Sequence, residues 1–285
     1  MTDPSPDYTP WIGRQEVTED ELGLAPALAA AAMLDDDLTP LAQGQPLPAM
    51  WHWFYFLPRA AQALLGPDGH PQRGGFMPPI PYPRRMFAGA RLRFERPLLL
   101  GQPARRVTEI CDIKQKTGRS GSLAFVSLRC RFYQNEQLCI EEEQDIVYRE
   151  PGSAVAAPAL LAWSPLPADA WSRIVTPDPT LLFRFSALTF NAHRIHYDRP
   201  YATQQEGYPG LVVHGPLTAL LLMELVRQQA AQPVSRFEFR GLAPLFDLAP
   251  FRLVAHAEGA RVSLQAQGPD GSAAMSASAE LLCND

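Results

Sequence analysis

Apolar and polar residues alternate along two separate tracts of the chain. In the first tract, residues 87–99, 104–116, 122–134 and 137–149 each alternate with a period of two, which predicts four antiparallel strands in a meander. Turn residues separate them at 118–121 and around Asn135–Glu136. The second tract repeats the plan over 234–243, 250–259, 260–268 and 272–282, with hairpin chemistry at "EGA" and "GPDG". Helical spacing predicts a helix over 16–34 after a polar start at Thr18, and a second over 215–230. The stretch "TLLFRFSAL" (180–188) reads as a strand. From Leu217 to Val226 the later helix is apolar on nearly every face, so a sheet must wrap it. The segment "RLRFERPLLLGQP" from Arg91 echoes "FEFRGLAPLFDLAP" from Phe237, and each leads into a meander. The pattern predicts an α+β chain in which a curved antiparallel sheet wraps a helix twice.

Between these tracts, 150–167 is rich in Ala, Pro and Ser and reads as a linker. The expected division is therefore 1–150, a linker over 151–167, and 168–285. The Pro/Gly-rich segment 66–89 cannot hold regular structure for long and is expected as an ordered loop over a surface or cleft.

Composition narrows the class. The chain has 285 residues, 46% hydrophobic and 19% charged, enough for two ordinary domains or one large one. A net charge of −5 argues against nucleic acid as a partner. Lys114 and Lys116 lie with three arginines in 105–121, which reads as a solvated strand pair or, in the sharper alternative, a phosphate-facing patch. Cys111, Cys130, Cys139 and Cys283 show no metal-type spacing and suggest reduced thiols in a cytoplasmic protein. No secretory signal is visible at the start, and His214, Pro216 and Glu224 interrupt the longest apolar run, so no membrane partner is expected.

The chemistry concentrates in "FSALTFNAHRIHYDRPYA" (185–202), which places His193 and His196 three residues apart. A zinc site would need a third ligand such as Asp198 or His214, and no H-E-x-x-H or cysteine pair supports it, so no metal is expected. Acid–base chemistry fits histidine better, because imidazole takes and gives protons near neutrality. Either histidine could instead be a packed core residue. Asn191 could cap a short turn that Arg199-Pro200 ends. Further on, "GYPGLVVHGPLTAL" (207–220) delivers His214-Gly215 to a helix start, where free N–H groups and the helix dipole favour developing negative charge. Gly215 has no side chain, so a carbonyl could approach its N–H closely.

Those two segments resemble the hydratase-2 motif and the His-Gly helix entry of MaoC-like enoyl-CoA hydratases. "WHWFYFLP", "GPDGHPQRGGFMPPIPYPRRMFAG" and "RLRFERPL" resemble the branch that holds mesaconyl-C4-CoA and itaconyl-CoA hydratases and the type-2 3-hydroxyacyl-thioester dehydratases. The resemblance implies a double hotdog, two curved sheets each round a central helix and packed as an internal pseudo-dimer. It also implies a CoA thioester substrate and no metal or redox cofactor. His196 would be the acid–base residue, and the Gly215 N–H would hold the thioester oxygen. The motif's aspartate falls on Asn191, which can orient water but cannot carry a proton. His193, and more remotely Glu206, are the candidates to assist.

The implied reaction is addition or removal of water across a short branched dicarboxylic enoyl-CoA, mesaconyl-C4-CoA or itaconyl-CoA, with citramalyl-CoA as the hydrated form. A general 3-hydroxyacyl-thioester dehydratase, a hotdog thioesterase and a non-catalytic acyl-CoA-binding protein are the alternatives. The free carboxylate would need a cation, for which Arg194, Arg84 and Arg85 are candidates, with His214 beside the substrate. The N-terminal half shows no copy of the motif and is expected to shape the pocket only. A homodimer or a pseudo-dimeric monomer would fit.

Overall fold

The computed structural model describes residues 6–37, 39–118, 121–150 and 154–283. Its strands are β1 (Gln15–Asp20), β2 (Arg84–Phe94), β3 (Ala104–Gly118), β4 (Gly121–Gln134), β5 (Gln137–Arg149), β6 (Trp171–Val175), β7 (Val234–Gly241), β8 (Phe251–Glu258), β9 (Arg261–Gln267) and β10 (Ala273–Leu281). The helices are α1 (Leu24–Leu34), α2 (Pro179–Leu188) and α3 (Gly215–Gln229).

All ten strands form one antiparallel sheet in the order β1-β3-β4-β5-β2-β7-β10-β9-β8-β6. From the central β2–β7 seam outward, the left side reads 5-4-3-1 and the right side 10-9-8-6. Adding five to each strand of the first half gives its counterpart in the second. The echo between Arg91 and Phe237 falls on β2 and β7, the two strands that pair across the seam from Gly89↔Arg240 to Arg93↔Arg236. Gly89 follows a register shift in β2, and a Cβ there would stand 2.4 Å from the Phe239 carbonyl oxygen. The seam therefore closes only over a residue without a side chain. Along β4, burial alternates residue by residue as the sequence pattern requires.

What fills the curl differs between the halves. In the second, α3 packs against every strand from β6 to β10 and against β2, and Leu217 to Val226 are all buried. In the first, α1 has eleven residues and lies against α2 and the turn Trp51–Phe54. That short 3-10 turn takes the place of a long helix. Its His52 ring meets Phe132 of β4, and Trp53 meets Phe87 of β2. The Trp51 indole N–H donates to the buried Glu224 carboxylate of α3 at 2.7 Å, tying the two fillings together. This is a double hotdog with one long and one abbreviated core helix.

Two local expectations are corrected. Residues 15–20 form β1, not the first turns of a helix; they add to the edge of β3, with Glu19 opposite Arg105 and Thr18 opposite Arg106. The helix starts only at Leu24. Residues 180–188 are helical, not a strand, because Asp178 caps the Leu181 N–H at 2.8 Å and Pro179 occupies the first turn. Their buried positions, Leu182, Phe185 and Ser186, have helical spacing. β6 was not foreseen. The turn expected at 118–121 and the start of the linker at 151–153 fall partly outside the described residues. Asn135 and Glu136 both have positive φ, as a two-residue hairpin turn requires. No helix among the described residues is long and apolar enough to cross a membrane.

Candidate active site

The site grows from the end of α2. Thr189 closes the helix with its hydroxyl on the Phe185 carbonyl, and the Asn191 N–H returns to the Ser186 carbonyl at 2.8 Å. Asn191 Oδ1 then accepts the His193 N–H at 3.0 Å, and this local turn starts the 3-10 segment Arg194–His196. The segment ends at Tyr197, before Arg199-Pro200; Pro200 instead leads into the next helical turn, Tyr201–Gln205.

His196 is buried, and its Nδ1 lies 2.8 Å from the Val212 carbonyl oxygen. A carbonyl only accepts, so Nδ1 carries the proton and Nε2 keeps a lone pair. Burial lowers the His196 pKa to about 4, against the Val212 hydrogen bond, which raises it. The ring is thus a neutral base at pH 7. It lines a cavity of about 1110 Å³ walled by both halves of the chain. Gly215, at the first position of α3, lines the same cavity with an N–H that has no acceptor within the helix. A Cβ on Gly215 would meet only the Phe87 carbonyl oxygen, at 3.6 Å, so the cavity wall is not crowded at this Cα.

Four of the six histidines form one row. Ring centroids are 4.1 Å apart for His70–His193, 5.4 Å for His193–His196 and 3.6 Å for His196–His214. Burial pushes His193, His214 and His70 below the ordinary imidazole range, with neighbouring rings adding to the effect for His193 and His214. His214 does not line the cavity. It stacks behind His196, with Nε2 on the Ser186 hydroxyl at 2.8 Å, so the expectation that it touches substrate is corrected to a supporting position.

The arginines also divide. Arg194 gives two hydrogen bonds to Asp198, at 2.9 and 2.7 Å, and one to the Pro67 carbonyl at 3.0 Å. Its guanidinium is committed to holding a loop, which removes it as a carboxylate binder. Arg84 is buried in the cavity wall, paired to Glu206 at 3.1 Å, yet its Nη1 is buried without a partner. This also ties Glu206 down as a counter-charge. Arg85 lines the cavity with no carboxylate partner among the described residues, and its charge acts on both His70 and His193.

Two groups went unnoticed in the sequence. From the Pro/Gly-rich loop, Asp68 and His70 reach His193, with His70 Nδ1 2.9 Å from Asp68 Oδ2. In the N-terminal half, the buried Glu142 accepts from His52 at 2.9 Å, Gln144 at 2.8 Å and Trp53 at 3.1 Å. Burial alone would raise the Glu142 carboxyl, but the His52 bond and its neighbours outweigh it and hold it low. The loop signal "DGH" was legible only as a turn, because nothing local says which residues it will face.

The hydroxyacyl-thioester dehydratase type 2 family matches residues 50–247, the span that holds both the loop and the motif. The chain belongs to that family. The mesaconyl-C(4)-CoA hydratase of Chloroflexus aurantiacus is 64% identical over 277 residues, covering 97% of this chain and 99% of that one. Among solved structures, a MaoC-like dehydratase superposes with a TM-score of 0.72 at 14% identity, covering 96% of this chain and 98% of that one. A Mycobacterium tuberculosis protein described as having a double hotdog fold gives 0.58 at 17% identity, covering 95% and 96%. The two structures agree with the fold derived above.

Proposed function

We propose that this hydro-lyase hydrates a C4-linked mesaconyl thioester to citramalyl-CoA, and catalyses the reverse reaction at the same site. The carrying observation is the orientation of His196, whose Nδ1–H is fixed on Val212 and whose Nε2 is left as a base in the cavity beside the Gly215 N–H. Water gives a proton to Nε2 as its oxygen bonds to the β-carbon. The double-bond electrons move onto the thioester, whose oxygen the Gly215 N–H holds. The proton then passes from His196 to the α-carbon. Asn191 has spent its carbonyl on His193, so its role is to offer amide N–H groups to the water oxygen. Water and the thioester balance this reaction, and we assign no cofactor.

Substrate choice follows from position. In a mesaconyl-C4 thioester the free carboxylate sits on the carbon that water attacks. Its cationic partner must stand beside the acid–base row, which favours Arg85, with Arg84 Nη1 next. A cavity with these cations is poorly matched to a long apolar acyl chain, the substrate expected of a general dehydratase. The full-length likeness to the Chloroflexus enzyme supports the same substrate. Both halves of one chain wall the cavity, which supports a pseudo-dimeric monomer as the working unit.

The test is to follow enoyl-thioester absorbance with mesaconyl-C4-CoA, itaconyl-CoA and crotonyl-CoA. Mesaconyl-C4-CoA is expected to turn over fastest, and His196→Ala to lower kcat by about 10³-fold or more with the thermal melt unchanged. Binding of these esters without turnover of any would overturn the reading.

A further inference from the structure

We propose that Asp68 is the carboxylate of this acid–base site: the charge missing from the motif at Asn191 is supplied by the N-terminal half, through His70. The inference rests on the hydratase reading and goes beyond it by naming a residue outside the motif.

The loop carrying Asp68 is built into the site. The Arg194 N–H donates to the Asp68 carbonyl at 2.9 Å, and the Arg194 guanidinium donates to the Pro67 carbonyl at 3.0 Å. Gly69 has φ +90, and a Cβ there would lie 1.8 Å from the Ala192 carbonyl oxygen. The loop backbone thus lies directly on the motif backbone, at a distance that only glycine permits. Asp68 Oδ1 accepts the His70 N–H at 3.0 Å and Oδ2 meets His70 Nδ1 at 2.9 Å, which fixes the ring. That ring lies on His193, which in turn meets His196 edge-on. Asp68, His70 and His193 each bring one polar side-chain atom within 4.8 Å of the others.

The charge balance explains the need. When His196 takes the proton from water, a cation forms where burial, and any positive charge on His70, oppose it. Arg73 and Arg85 act on His70 with the same sign, Arg85 also acts on His193, and His214 behind is neutral. Tyr201 also faces Asp68. Asp68 is the acid whose charge acts on both His70 and His193 to favour their protonated forms. Burial would raise the Asp68 carboxyl, but the His70 hydrogen bond and charge outweigh it and keep it ionised. No extra proton is needed. The proton taken from water returns to the α-carbon, and in between the Asp68 carboxylate offsets its charge. Asp68 is therefore a positioning residue, acting through His70 and His193.

The experiment compares wild type, Asp68→Asn, His70→Gln and the double variant Asp68→Asn/Asn191→Asp on mesaconyl-C4-CoA across pH. The amide of Asp68→Asn keeps the shape of the side chain and one acceptor oxygen for His70, while it removes the charge and puts an NH2 donor in place of the second oxygen. The expected result is a kcat lower by about 100-fold with KM little changed. A carboxylate raises the pKa of a nearby base, so its loss moves the acid limb of the kcat profile to lower pH, by about one unit. Restoring a carboxylate at 191 is expected to recover most of the rate. Wild-type activity with near-normal kcat and an unmoved acid limb in Asp68→Asn overturns the proposal while leaving the hydratase reading intact. Inactivity of the wild type overturns the hydratase reading, and this proposal with it. If Asp68→Asn melts early, His70→Gln supplies a second readout: it removes the ring that links Asp68 to His193, so a kcat loss like that expected for Asp68→Asn supports the proposal and a near-normal kcat overturns it. A stoichiometric divalent metal in the wild type, lost in Asp68→Asn, would make the cluster a metal site and overturn the proposal as well.

Discussion

The two halves share a strand plan and differ in what they enclose. The C-terminal sheet wraps a fifteen-residue helix whose N-terminus offers the Gly215 N–H, and the acid–base turn lies beside it. The N-terminal sheet closes round the aromatic turn Trp51–Phe54, and the Pro/Gly-rich loop that follows crosses to the other half. A long helix gives a rigid anion-holding terminus. A short filling leaves room for a cavity wall and for a loop that can reach across. The two halves thus share the sheet plan and differ in the filling of the core.

This division can be broken at its crossing point. Gly69→Ala forces a Cβ into the Ala192 carbonyl and should lift the loop from the motif. A displacement of about 1 Å costs on the order of 100-fold in rate, so kcat is expected to fall by that factor with a small loss of melting temperature. Steady-state kinetics beside a thermal melt would check this; unchanged kcat would mean that the halves do not cooperate through the loop. Trp51→Phe removes the indole bond to Glu224 while keeping an aromatic filling. It should cost about 1–3 kcal/mol in denaturant unfolding with little change in kcat, because Trp51 does not line the cavity. Asp178→Ala tests the smallest term, the cap of α2 beneath the motif. About 1 kcal/mol is expected, read from the same unfolding curves.

Eight of the ten strands were legible, because a half-buried strand must alternate and β4 or β9 does so at nearly every position. β1 was misread because Glu-rich residues suit a helix, and only the open edge of β3 turns them into a strand. The misreading of α2 was avoidable: Asp178-Pro179 is a helix start, and the apolar run hid the spacing of Leu182, Phe185 and Ser186. That His193, His196 and Gly215 share a cavity was legible because they lie in two short motifs. Asp68 and His70 were not, because they stand more than a hundred residues from the rings they serve.

By itself the sequence determined the repeated meander, the wrapped helix and the two short motifs that line the cavity. Each of these is a local pattern of burial or capping, and local patterns are set by neighbours in the chain. The tertiary structure alone decided that Arg194 and His214 serve as supports, that Arg85 and Arg84 face the cavity, and that Asp68 stands beside the histidine row. Those outcomes depend on which surfaces meet when the two halves close along β2 and β7. Charge compensation inside a buried site is a property of that closed volume, and no stretch of residues read in order can display it.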